Sequence, residues 1–104
     1  MSMTVVVTRN VSPRIRGFLA SIMLEVAAGV YSAPHLSPAV RGRIWKVLEE
    51  WFAVEEDASI VMLWREATMP GEQAVRVLGE PPVDLVEKDG MLLSRRCPEQ
   101  TGPK

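Results

Sequence analysis

The stretch Met3–Thr8, MTVVVT, constrains the fold more than any other part of the chain. Its apolar and β-branched residues fall on both faces of an extended backbone, the pattern of a central, buried strand. The chain then turns at Asn10 and Val11 and meets Ser12-Pro13, a favoured N-cap followed by the one helical position that suits proline. Ile15, Phe18, Leu19, Ile22, Met23 and Val26 recur at helical intervals. That spacing predicts an amphipathic helix ending near Ala28 and Gly29, with Arg14, Gly17, Ser21 and Glu25 off its apolar stripe. A buried strand feeding such a helix leads to a layered fold, the helix lying back on a sheet.

The same device recurs downstream. Val30–Ala33 reads as a short strand or strand pair, Ala33-Pro34-His35 as a connection, and Ser37-Pro38 as a second helix start. Val40, Ile44, Val47, Leu48 and Trp51 share one face of that helix. The acidic run Glu55-Glu56-Asp57 reads as a loop. Ile60–Arg65 is again apolar on both faces, Ala67–Glu72 holds Pro70 and Gly71 and reads as a turn, and Gln73–Leu78 is the returning strand of a hairpin. Pro81 and Pro82 force an extended chain. Beyond them, Val83–Val86 and Met91–Leu93 flank a turn at Glu87-Lys88-Asp89-Gly90, where Asp-Gly is a strong hairpin signal.

The order β-α-β-α-β-β plus a tail hairpin predicts an α+β fold: a two-layer sandwich with an antiparallel-type sheet and two helices on one face. The expected division is a core over 1–79, an extension over 80–94 and a frayed tail over 95–104. A short apolar hairpin beyond a Pro-Pro break is an edge-pairing liability when exposed. Strand addition to another subunit or partner would cover it; so would folding back on its own sheet.

At 104 residues the chain is of single-domain size. No apolar run approaches the roughly 18 residues of a membrane span. Val5-Val6-Val7 follows no basic region, so the start lacks the order of a secretory signal. The single cysteine, Cys97, cannot close an internal disulfide, which points to a reducing, cytoplasmic setting. Cys97 and the single histidine, His35, match neither a zinc spacing nor a supported nucleophile–base pair. Glu55, Glu56 and Asp57 are consecutive, so their side chains diverge rather than converge on magnesium, and Asp84 and Asp89 belong to the tail. No phosphate-cradling glycine loop is present. No catalytic residue, metal ligand or cofactor is expected.

Charge carries more. Residues 1–48 hold six bases against one acid, Glu25, while residues 49–104 hold six bases against twelve acids. That +5 and −6 sum to the net −1, and the split suggests one basic and one acidic face. Arg14 and Arg16 sit in the opening turn of the first helix with no acid beside them. The amino end of a helix favours anions, so two cations there cost a few tenths of a kcal/mol unless something negative lies opposite. Backbone N–H groups and arginines together make a phosphate site. Arg41, Arg43 and Lys46 repeat the pattern on the second helix, and both groups could share the helical surface. Bases without aromatic interleaving suit duplex-backbone contact better than base stacking. Trp45, Trp51 and Trp64 read as core or interface anchors.

The strings MSMTVVVTRNVSPRIRG, LEVAAGVYSA, RGRIWKVLEEW, SIVMLWR and PPVDL resemble the Cas-two family of CRISPR-associated adaptation proteins in its type I-E form, over nearly the whole chain to about Leu93. The resemblance implies a ferredoxin-like fold and a homodimer bridging dimers of the Cas-one integrase. The assembly captures a duplex protospacer and inserts it into the CRISPR array. It further implies that arginines matching Arg14 and Arg16 hold the duplex by its backbone, and that the tail strands, with Val83, Leu85, Met91, Leu92 and Leu93, dock on the integrase.

Two departures stand out. Many members of the wider family carry an aspartate at the end of the first strand, proposed to bind a divalent metal for nuclease activity, and the type I-E form usually has glutamate there. This chain has Arg9, which cannot ligate magnesium. A second basic pair expected before the P-V-D segment is replaced by Leu78, Gly79, Glu80, Pro81 and Pro82, leaving Arg41, Arg43 or Arg76 to compensate. The leading expectation is a non-catalytic DNA-binding adaptor. The alternatives are a magnesium-dependent endonuclease or endoribonuclease of the same family, and a toxin-like ribonuclease or regulatory domain of the same fold.

Overall fold

The computed structural model describes residues 2–79 and 83–96. Along the chain lie β1 (Ser2–Arg9), α1 (Pro13–Ile22), β2 (Leu24–Ala27), β3 (Val30–Leu36), α2 (Pro38–Phe52), β4 (Ser59–Arg65), a 3₁₀ turn (Pro70–Glu72), β5 (Gln73–Gly79), β6 (Val83–Lys88) and β7 (Met91–Arg96). The doubly apolar β1 takes the centre of a five-stranded sheet ordered β2-β3-β1-β4-β5. Every pairing is antiparallel; Val6 lies opposite Tyr31 of β3 on one side and Met62 of β4 on the other. The connections β1-α1-β2 and β3-α2-β4 each straddle one intervening strand, the split βαβ arrangement of a ferredoxin-like sandwich. The fold class read from the sequence is therefore the one observed.

Both helices cover one sheet face. Val6, Tyr31, Ile60 and Met62 from the strands meet Ile15, Leu19 and Leu48 from the helices, all without solvent exposure. Among the described residues no helix covers the other face. Met3 and Val7 of β1, Leu24 and Val26 of β2 and Val77 of β5 are exposed, with Val5, Val61, Leu63 and Val75 half-buried among them. The double apolarity of β1 and β4 was read as burial on both sides; within one chain it is burial on one.

Local outcomes differ from the periodicity at several places. α1 stops at Ile22 instead of near Ala28. Met23 turns extended (φ −137, ψ 165) while its N–H still closes the last turn on Leu19 O at 2.8 Å. Leu24 and Glu25 then pair with Ser32 and Tyr31, and Gly29 (φ 76) closes the β2–β3 hairpin. Met23 and Val26 fit a helical stripe, but ladder pairing beside an Ala-Gly turn wins. β3 continues through the expected connection to Leu36, so His35 is an exposed strand residue. Ser2 pairs with Leu36 and Thr4 with Ala33, which sets Pro34 and His35 opposite Met3 in a bulge that tolerates the proline.

The tail hairpin β6–β7 is a separate two-stranded sheet and does not join its own main sheet. β7 reaches Arg96, beyond the expected end at Leu93. The hairpin turn leans on the 3₁₀ turn: Gly71 N–H donates to Gly90 O at 3.1 Å. Gly71 has φ +65, and a Cβ there would lie 2.7 Å from Leu92 Cβ, so only glycine fits both its backbone and its neighbour. Glu80, the Pro81-Pro82 break, Cys97 and the tail 97–104 lie outside the described residues.

Candidate nucleic-acid interface

α1 places its two arginines on either flank of the buried Ile15, because residues two apart on a helix diverge. Arg14 leaves toward α2, its guanidinium carbon 3.9 Å from the Trp51 ring centroid. Phe18 meets the same indole edge-on at 5.3 Å and 65°. An exposed cation–π contact of this kind is worth about 0.5–1 kcal/mol, and it fixes where the Arg14 head points. Arg16 leaves on the opposite flank, close enough to Tyr31 and Glu25 of the β2–β3 hairpin for its charge to act on the tyrosine. Both arginines are exposed, and among the described residues neither forms a salt bridge.

The start of α1 is not left without an anion. Ser12 makes no side-chain cap bond; instead its N–H donates to Glu55 Oε1 at 3.0 Å. Asp57 stands nearby, its carboxylate 3.9 Å from Arg9 and its carbonyl accepting Asn10 Nδ2–H at 2.9 Å. The acidic loop expected to be a solvated bystander thus packs beside the basic helix start. For the same reason the charge split along the chain does not become two clean faces. Arg9, standing where the wider family would carry an acid, points its guanidinium at Asp57.

The second basic group does not merge with the first. α1 and α2 run antiparallel: Arg14 at the start of α1 meets Trp51 at the end of α2, and Ile22 lines a groove with Leu36 and Val40 near the start of α2. The two helix N-termini therefore point to opposite ends of the layer, so the two basic groups lie on one helical surface without adjoining. Arg43 and Lys46 are exposed on α2, with Arg43 at the edge of that groove. Arg41 separates from both. It is only 8% exposed and stacks 4.1 Å from the Trp64 ring centroid, with Arg76 at 5.5 Å from the same ring. Burial pulls the Arg41 guanidinium below its ordinary pKa; Glu66 opposes this and Arg76 adds to it. The sequence pattern grouped Arg41 with Arg43 and Lys46 because it could not register which flank of α2 faces β4 and β5.

The indoles behave as expected of anchors, with Trp45 and Trp64 buried and Trp51 half-buried. Of the tail residues, Met91 and Leu93 are exposed, while Leu92 is half-buried over Gly71. The strands that carry Val83 and Leu85 are described, and their side chains lie outside the described set. The sequence reading did not anticipate the bare apolar sheet face, although the double apolarity of β1, β4 and β5 was its signal. Among the described residues, no helix is long and apolar enough to cross a membrane.

Fold and site together define a small ferredoxin-like α+β protein that presents an arginine pair on the first turn of its first helix and an uncovered apolar sheet face. Residues 3–93 match the family described as CRISPR-associated protein (Cas_Cas2CT1978), and the chain belongs to that family. It is a Cas-two-like CRISPR protein, with a general role in CRISPR adaptation.

Proposed function

We propose that this chain is a non-catalytic, homodimeric adaptor of the spacer-acquisition complex, of the type I-E form, holding duplex DNA by its phosphates and bridging Cas-one integrase dimers. The observation that carries this reading is the exposure of Arg14 and Arg16 at a helix N-terminus without ion pairs to the described carboxylates. Donors so placed meet phosphate oxygens with both charge and helix dipole. Lys46 and Arg43 extend the positive surface along α2. The bare sheet face supports a second copy as its cover, since a contiguous apolar patch of this kind marks an interaction site. Exposed Met91 and Leu93 support the hairpin as the element that docks on the integrase. The nuclease reading needs an acid where Arg9 stands.

The test is spacer acquisition in cells supplying the integrase and the double variant Arg14→Glu, Arg16→Glu. Acquisition is expected to fall to background while the dimer persists in size-exclusion chromatography. Normal acquisition by that variant would overturn the mechanism.

A further inference from the structure

Among the described residues, the one carboxylate bonded at the start of α1 comes from the far end of α2. Glu55 Oε1 accepts the Ser12 N–H at 3.0 Å, while the Ser12 side chain makes no cap bond and Pro13 brings no N–H. Glu55 is half-buried there, although it belongs to a run of three acids in the loop between Phe52 and Ser59. A helix start favours an anion, and a carboxylate oxygen on its N–H takes the role of a phosphate oxygen. Arg14 is held beside the same loop, stacked on Trp51 in the last turn of α2. The loop leaves the helix at that end, where Glu55 N–H donates to Phe52 O at 3.0 Å. A phosphate approaching the first turn of α1 therefore meets the Glu55 carboxylate on ground it would itself take.

The loop is tied at its other side. Asn10 Nδ2–H donates to Asp57 O at 2.9 Å, and the exposed Arg9 guanidinium lies 3.9 Å from the Asp57 carboxylate. Asn10 (φ 60) and Asp57 (φ 55) are both left-handed, a conformation these residue types tolerate better than most. Between the ties, Val54 and Glu56 are exposed, and the Glu55 side chain touches α1 through the single Ser12 bond. That bond can open while both ends of the loop hold.

We propose that Glu55 is an internal competitor for the nucleic-acid phosphate at the start of α1, an autoinhibitory contact that a bound duplex displaces; this rests on the duplex-adaptor reading above. The exchange swaps one oxyanion for another on the Ser12 N–H. Its consequence is discrimination. An isolated anion competes singly against a carboxylate held at high effective concentration, whereas a duplex engages several bases at once and displaces it.

The experiment measures affinity of the full chain for a labelled blunt duplex between about 50 and 200 mM salt, for wild type, Glu55→Gln and Glu56→Gln. The Ser12 amide resonance is followed by NMR as duplex is added to the wild type. Glutamine keeps an oxygen to accept the Ser12 N–H and removes only the charge, so the loop contact survives without its competing anion. Glu56 is exposed in the same loop and forms no salt bridge among the described residues, so Glu56→Gln reads the bulk charge of the loop. Glu55→Gln is expected to bind several-fold tighter than wild type and Glu56→Gln to gain clearly less. The Ser12 resonance is expected to move as the carboxylate gives way. Unchanged or weaker binding by Glu55→Gln, equal gains in the two variants, or a Ser12 resonance unmoved at saturating duplex would overturn the competitor alone. A wild type and a Glu55→Gln variant that both bind no duplex would overturn the competitor and the adaptor reading together.

Discussion

Tyr31 lies fully buried beneath α1, and its hydroxyl has no hydrogen-bond partner among the described residues. Its pKa is raised above the ordinary 10.0, chiefly by burial, then by the charge of Glu25, with Arg16 pulling the other way. The folded chain therefore holds the phenol protonated where the unfolded chain would ionise it. The stability this contributes is intact below about pH 10 and is lost as pH rises through the higher folded value. The chain has a single tyrosine, so alkaline absorbance titration reads this group alone. Its midpoint is expected above 10, and Tyr31→Phe is expected to flatten the alkaline loss of stability. A midpoint at or below 10 would mean the hydroxyl meets water. At this scale the two arginines of an acid-free helix start were visible in the letters, and both are exposed in the structure, while the arrival of Glu55 beside them was not visible. The letters also hid the separate fate of Arg41, because exposure depends on what packs against each flank of α2.

Each helix begins at a Ser-Pro pair, yet the two caps work differently. Ser37 Oγ accepts Val40 N–H at 3.2 Å, whereas the Ser12 side chain makes no cap bond and Glu55 serves the Ser12 N–H instead. Ser37→Ala is expected to cost about 1 kcal/mol in urea unfolding, and Ser12→Ala a few tenths at most. Equal losses would show that Ser12 caps α1 after all. Helix starts were legible because capping chemistry is local. The end of α1 was not: Met23 and Val26 fit a helical period, and the decision came from Leu24 and Glu25 pairing with Ser32 and Tyr31 across the hairpin. The tail hairpin was legible as strands from its Asp-Gly turn. Its lean on Gly71 was hidden, because it is a tertiary contact.

For the whole molecule, the decisive feature is the helix-free face of the sheet. The two-layer α+β sandwich followed from the sequence of elements and its ferredoxin-like order from the family resemblance, whereas the bareness of one face followed from neither, because apolar residues on both sides of β1 and β4 look the same whether a helix or a second subunit covers them. With Val77 40% exposed on β5, Val77→Asp is expected to convert a dimer to a monomer in analytical ultracentrifugation while leaving circular dichroism unchanged. A dimer unaffected by that charge would move the subunit contact elsewhere. The partner of the helical layer is a separate question, and under the proposed function the exposed arginines of α1 meet the phosphates of a duplex. The most direct measurement is the salt dependence of duplex binding by the wild-type chain and by Arg14→Glu, Arg16→Glu. The wild type is expected to bind, with affinity falling steeply between about 50 and 200 mM salt as counterions are released, and the double variant to show no measurable binding at either end. Equal affinity and equal slope in the two proteins would contradict a phosphate-facing role for α1.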